Sequence, residues 1–377
     1  MKSNILLFFV ILLAVCLTQF ASDIYAPSLP NIASKLHTTI DLAQWSMAIY
    51  MLGVALSQLV YGPLSEGVGR KPPLMGGLLV MLMGTLFCFF ASGIDTLIWG
   101  RFIQGCGAGS CASLWRSIFR DVFSGEDLAK YGSYLVIFIM FIVPAAPVLG
   151  GYLQDVYGWR ACFVFMSLYT VVALCAVGWG FTETNQHQNT ERLKLSYVAK
   201  TYSTLLLNPI FMGVTCCTFL SYGAFFAWFV SGPVLLIDGL GISPVAFGWI
   251  TFLGGGTAYA LAGWLNGRVV KRFGMPYMMR FGWSIMIASS VLMLASQMMF
   301  NLTLGGVVVP IILFYFGSTF IWPNAFATAF TPFGTIAGYT AALYGSMQVG
   351  GAAALGGLFH HPDPSIGPGL LEAFDHR

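Results

Sequence analysis

The positions where charge is missing organise this chain. Uncharged runs cover 3–22, 42–65, 72–94, 131–154, 161–182, 201–237, 239–267 and 281–362. Crossing the hydrocarbon core of a bilayer as a helix takes about 20 apolar residues. Most of these runs hold one span, and the last is long enough for three, with breaks near Asn301 and at Thr331-Pro332. Helices are expected because lipid offers no partner to an unpaired backbone group. The alternating segments of about ten residues that mark a membrane β-barrel are absent. The pattern predicts eleven spans: 4–29, 40–61, 73–93, 96–118, 131–153, 160–181, 208–231, 244–265, 276–299, 304–326 and 333–357. The first resembles a signal peptide in its apolar character. It carries only Lys2 ahead of it, no small-residue cleavage site follows, and ten more spans come after it, so it is expected to be retained.

Composition agrees with that pattern. Only 8% of the 377 residues are charged and 57% are hydrophobic, and the mean hydropathy is +0.79. A water-soluble domain carries about a quarter charged residues, so the solvent here is largely lipid. The net charge of +3 comes from basic loops and does not point to a nucleic-acid partner. Cys16, Cys88, Cys106, Cys111, Cys162, Cys175, Cys216 and Cys217 all fall inside predicted spans without metal-site spacing, and are expected to be small packing residues.

Charge also orients the chain. With the N-terminus in the cytoplasm, that side carries twelve Lys and Arg residues, and the outer loops carry only Lys35 and Arg160, as the positive-inside rule requires. The one long polar connection, 183–207, divides an N-terminal six-helix half (1–182) from a C-terminal half (208–358), and a polar tail, 359–377, ends the chain. A weak internal repeat supports the division: GPLSEGVGRKP starts at Gly62 and GWLNGRVVKRFG at Gly263, each after the second span of its half. Two related halves around a central site are an architecture of secondary carriers.

The segment GPLSEGVGRKP resembles the loop signature of the major facilitator superfamily, G-x-L-x-D-R-x-G-R-R/K-P, matched at Gly62, Leu64, Gly69, Arg70, Lys71 and Pro72. Glu66 stands where the signature has Asp and Gly67 where it has Arg. The resemblance implies that this loop latches the cytoplasmic side, and the two departures imply a weaker or differently built latch. SDIYAPSLP (22–30), GRFIQGCGAG (100–109) and PAAPVLGGYL (144–153) resemble the first-, fourth- and fifth-helix motifs of drug:proton antiporters, the last with Pro147, Gly150 and Gly151 retained. PNAFATAFTPFGTIAGYTAAL (323–343) is similar to the bicyclomycin-resistance branch. The fold implied is an all-α polytopic membrane protein of two helical halves, with about eleven of twelve expected spans. After Leu358 the sequence FHHPDPSIGPGLLEAFDHR is too short and polar for a twelfth, which raises the expectation of a truncated or altered reading frame or an incomplete chain.

Individual residues carry the candidate chemistry. Asp23 is the one carboxylate on a predicted span. A poorly hydrated pocket favours the neutral form of a carboxylate, the property a proton carrier needs; the alternative is a solvated structural cap at the helix end. Arg101 is the candidate partner that links protonation to substrate release, against a snorkelling arginine. Arg116 either lines a substrate cavity or snorkels to the interface. Tyr25, Tyr50, Tyr222 and Phe226 are candidate cavity residues, within an aromatic crowd of which most members are expected to pack or face lipid. Gly62, Glu66, Gly69, Arg70 and Lys71 are candidate gating residues. So are Pro147, Gly150 and Gly151, where proline bends a helix and glycine admits a close neighbour; Gly254–Gly256 is the expected partner in the other half, and ordinary helix packing is the alternative. Glu66 is expected near the start of the eleventh span, with Thr331 as its cap and Pro332 at its first position. His360, His361 and Asp363 are not expected to form a metal site.

No GxxxxGK[ST] loop is present, so an ion gradient rather than ATP is the expected energy source, with no cofactor. The leading expectation is a monomeric inner-membrane exporter of drugs or small amphipathic metabolites, driven by protons. Uptake of a nutrient by symport and a non-transporting remnant are the alternatives. An intramembrane enzyme lacks the paired catalytic groups it would require.

Overall fold

The computed structural model describes residues 2–122, 138, 145–185, 188–300 and 302–358, and among them every regular element is helical. The helices are Lys2–Asp23 (α1), Leu29–Lys35 (α2), Ile40–Val68 (α3), Lys71–Phe89 (α4), Ile94–Val122 (α5), 145–157 (α6), Arg160–Gly180 (α7), Leu195–Leu206 (α8), Pro209–Pro233 (α9), Pro244–Ile250 (α10), Gly256–Phe273 (α11), Met275–Phe300 (α12), Leu304–Phe330 (α13) and Ala337–Leu358 (α14). Eight described helical stretches are long and apolar enough to cross a membrane, at the first to third and sixth to tenth predicted positions. The fourth and eleventh predicted spans are α5 and α14. Most of the fifth, and the whole tail 359–377, lie outside the described residues.

Local sequence explains the helix ends. Thr39, Asn208, Ser243 and Thr303 cap α3, α9, α10 and α13 by accepting the backbone N–H three residues on, with proline directly behind the cap at Pro209 and Pro244. Gly69 (φ 97°) closes α3 and Gly274 (φ 82°) closes α11, a backbone region that favours glycine. Each of these turns follows the second span of its half.

Two expectations about helix boundaries need correction. The eleventh span does not begin at Thr331: residues Thr331–Ile336 form a 3₁₀ turn broken at Phe333, and α14 starts at Ala337. Thr331 Oγ1 donates back to the Ala327 carbonyl (2.7 Å), so its hydroxyl finishes α13 instead of capping α14. The eighth span is also not one continuous α-helix, because a π-helical turn at Thr251–Gly255 separates α10 from α11.

Helices α1, α3, α4, α5 and α7 pack as one half and α9 with α11–α14 as the other, while α3 runs along α14 between them. Glycine permits the closest approaches: a side chain at Gly105 on α5 would strike the Tyr50 carbonyl of α3. The halves touch at both ends of their seam. At the Asp23 end, Gly151 faces Pro244 and Val245, Gly248 faces Pro147 and Val148, and Gln44 Nε2 donates to the Val230 carbonyl (2.9 Å). At the opposite, loop end, Gly62 faces Ala342, Gly338 faces Glu66 and Gly345 faces Gln58. Among the described residues, the halves therefore meet at both ends of this seam. The expected partner of the α6 glycines, Gly254–Gly256, lies elsewhere: Gly254 meets Ile312 and Gly255 meets Tyr315. The seam uses Gly248 because the helix that meets α6 is the short α10.

Candidate substrate and proton-coupling site

Four predicted site residues come together at one end of the seam. Asp23, the last residue of α1, is buried at 3% exposure, which removes the solvated-cap alternative. The Ser22 hydroxyl donates to its carboxylate. Arg101 on α5 is 1% exposed, which removes the snorkelling alternative. Its Nη1 donates to the Ala21 carbonyl (2.8 Å) and to Gln104 Oε1, and Gln104 in turn donates to Thr85 Oγ1 (2.9 Å). The rings of Tyr25 and Tyr50 flank the guanidinium at 4.7 and 4.1 Å. Both rings are held: the Tyr50 hydroxyl donates to the Thr18 carbonyl (2.9 Å), and Tyr25 bonds to Ser46.

No ion pair joins Asp23 to Arg101; every ion pair among the described residues lies at the loop end or in the linker. Nε and Nη2 of Arg101 have no hydrogen-bond partner. A buried charge without its counter-charge is costly, and two aromatic faces offset only part of that. The arrangement therefore holds an acid and a base that are close, buried and unjoined, with donors free to accept a new partner.

The facing wall belongs to the second half and is aromatic. Phe225 on α9 packs on Tyr222 (5.8 Å between ring centres), Tyr315 (5.2 Å) and Trp322 (5.2 Å), and Tyr259 stacks on Tyr315 (5.6 Å). Tyr222, Tyr259 and Tyr315 are within electrostatic reach of Asp23. Tyr222 thus joins the site, while Phe226 is buried one position round the helix from the ring cluster, which is built on Phe225. Arg116 is half-buried about 22 Å along α5 from Arg101. Its guanidinium lies over Trp115 (4.5 Å) and over Phe326 of the other half (5.1 Å), with no ion pair among the described residues.

The loop end holds a charge network. Arg70, 3% exposed, donates to Asp121 Oδ2 (2.9 Å), Ser65 Oγ (2.7 Å) and Glu66 Oε1 (3.1 Å). Arg192 of the linker takes the other oxygen of Glu66 (2.8 Å), and Lys71 Nζ donates to the Gly178 carbonyl (2.9 Å). Glu66 lies against Gly338 in the first turn of α14, as anticipated, though without the predicted Thr331 cap. Asp121, Glu183 and Arg192 were not singled out in sequence. The only signal for Asp121 and Glu183 was their position at the edges of polar segments, and Arg192, inside the linker, had none.

Glu183 accepts the backbone N–H groups of Arg70 (2.8 Å), Lys71 (3.0 Å), Thr184 (3.0 Å) and Asn185 (2.9 Å). Burial opposes its charge, but the four donors outweigh burial and hold the carboxyl below its ordinary 4.5. A depressed folded-state value means that this anchor is fully present above the unfolded value and is lost only as pH falls through the lower folded one. Amide exchange at Arg70 and Lys71 is accordingly expected to stay slow as the pH is lowered through 4.5 and to accelerate below it. Acceleration already above that pH would show that Glu183 is not the anchor.

Two helical halves, closed on a seam that holds buried, unjoined charges, define a membrane transporter. The chain belongs to the major facilitator superfamily, whose family model matches residues 11–355. It is 30% identical over 363 residues to multidrug resistance protein D of Escherichia coli (strain K12), covering 94% of this chain and 88% of that protein. It is 27% identical over 342 residues to the bicyclomycin resistance protein homologue of Haemophilus influenzae, covering 91% and 85%, in keeping with the branch suggested by residues 323–343. Its fold is similar to that of the xylose transporter XylE from E. coli in a partially occluded inward-open conformation (TM-score 0.71, 12% identity, 97% and 92% coverage).

Proposed function

We propose that this transporter exports drugs or small amphipathic metabolites from the cytoplasm in exchange for protons, by alternating access. The observation that carries the proposal is the buried, unjoined Asp23–Arg101 pair beside the seam. Contacts between the halves at both ends of the seam suit a cycle in which one end opens at a time. In that cycle the Asp23 carboxylate takes a proton when the Asp23 end opens outward. It gives the proton up when the loop end opens inward, and ionised Asp23 is then free to meet Arg101 or a ligand group. The relatives named for bicyclomycin, multidrug and, in Pseudomonas aeruginosa, chloramphenicol resistance favour export over nutrient uptake. The ring wall of Tyr222, Phe225, Tyr259, Tyr315 and Trp322 suits apolar or amphipathic ligands, and Arg116 between Trp115 and Phe326 adds a cation to the same seam.

The test is growth of an efflux-deficient bacterial strain carrying the gene, against a panel of compounds. Resistance to a subset, abolished by a protonophore, supports the proposal; accumulation of the compounds instead supports uptake. We propose, from the excess of basic residues on one side, that the N-terminus and the 183–207 linker lie in the cytoplasm of the same cells. A single cysteine at Gln188 is expected to resist a membrane-impermeant maleimide added to intact cells and to react in inside-out vesicles. Labelling from outside would invert the topology.

A further inference from the structure

The linker is fastened to both halves at the loop end, and the fastening is specific. Gly67 carries no side chain, and a Cβ there would lie inside the Leu193 side chain of the linker. Next to Leu193, the Arg192 guanidinium holds Glu66 Oε2 at 2.8 Å. The Asn189 N–H donates to the Glu66 carbonyl (3.2 Å), and Asn185 Nδ2 donates to the Ser65 carbonyl (3.1 Å). Further along, Pro63 lies inside α3 and has no N–H to give to the Leu59 carbonyl four residues back. The Tyr202 hydroxyl of α8 fills that vacancy at 3.0 Å. These contacts tie the linker to the first half.

The contact with the second half is different in kind. The Tyr339 hydroxyl of α14 donates to the Arg192 carbonyl (2.7 Å), and the Tyr339 ring packs on Tyr197 and Tyr202 (5.9 and 5.7 Å between ring centres). Arg192 therefore grips Glu66 with its side chain and α14 with its backbone. Opening at this end would have to release either the Tyr339 contact or the linker's contacts with the first half.

We propose that Arg192 and Leu193 are working parts of the loop-end gate, with the linker docked over Gly67 when that end is closed and one of its two grips broken when it opens. Arg192 supplies from the linker a cation for Glu66, next to a position, Gly67, that has no side chain of its own. The bare Cα of Gly67 is what allows Leu193 to seat. The proposal rests on the alternating-access reading and assigns the closing device of one end.

The test uses the full chain in detergent, with the eight native cysteines replaced by serine and a single cysteine at position 58. Gln58 is 1% exposed and faces Gly345 across the closed loop end, so its maleimide labelling rate reports opening. Arg192→Gln removes one grip, and Gly67→Leu expels Leu193 without touching a charge. Each is expected to raise the labelling rate by about fivefold, the weight of one partly exposed ion pair. Together they should do no more than either alone, because both undock the same segment. Tyr339→Phe, which releases the other grip, is expected to act in the same direction. Wild-type rates in both Arg192→Gln and Gly67→Leu would overturn the proposal, and so would rates that multiply in the double variant. The readout needs neither substrate nor pH gradient. Faster labelling in a protein that exports nothing would leave the gate standing while the exporter reading falls, and export with unchanged labelling would do the reverse.

Discussion

Asp23→Asn is expected to abolish proton-driven uphill transport while leaving the fold and the binding of a neutral ligand in place. Asparagine keeps the size of the side chain and can accept the same Ser22 hydroxyl, but it cannot take or release a proton. Asp23 is buried and makes no ion pair, so neutralising it breaks no salt bridge, and the buried charge it removes was itself costly to keep. Losing a positioned acid–base group costs about 100-fold or more in the step it serves. The measurement is substrate accumulation against a gradient in proteoliposomes with an imposed pH difference, alongside equilibrium binding in detergent. If the ligand is cationic, binding falls too, because Asp23 would be its counter-charge. Wild-type accumulation by the Asn variant would show that another group carries the proton.

Gly151→Val is expected to hold the Asp23 end open and to stop turnover. The Cβ of a residue at 151 would come 2.5 Å from the Pro244 carbonyl oxygen and 2.9 Å from Val245 Cα. Both are backbone atoms at the start of α10, fixed by the Ser243 cap, so no flexible side chain is available to give way. Overpacking of this kind costs about 1–3 kcal/mol, which moves an open–closed equilibrium about 5- to 150-fold. The clash exists only when this end is closed, so the cost falls on the closed state and not on the folding of either half. The readout is maleimide labelling of a single cysteine at Gln44, which is buried where it bonds across the seam to Val230. Labelling should rise while transport falls. Unchanged labelling would mean that α6 and α10 do not form the moving contact.

Much of this protein was legible in one dimension. The helices follow from apolar runs of bilayer length, and their ends from caps and glycines, since hydrogen bonding within a helix is settled by its own residues. Asp23 stood out because a single acid in a long apolar run has no local reason to be there. Gly67 was visible as a departure from the loop pattern, but its occupant, Leu193, lies on another segment. Nothing near Gly67 in sequence names it. Glu183 and Arg192 were hidden in the same way, as ordinary charges in a polar linker until the fold set them on Arg70 and Glu66.

What only the tertiary structure decided is which face of each helix looks inward. In a water-soluble protein the apolar stripe of a helix marks its buried side. Here lipid is as apolar as the core, so the contrast that would mark it is missing. Trp179 is 89% exposed and Met298 82%, while Phe226 is 1%, and no local pattern separates them. Phe226 and Phe225 were therefore equivalent in sequence, as were Gly248 and the Gly254–Gly256 run, and close packing between helices made the choice. The apolar pattern determined that this chain crosses a membrane many times and carries one acid on a predicted span; the packing of two halves against each other determined what that acid faces.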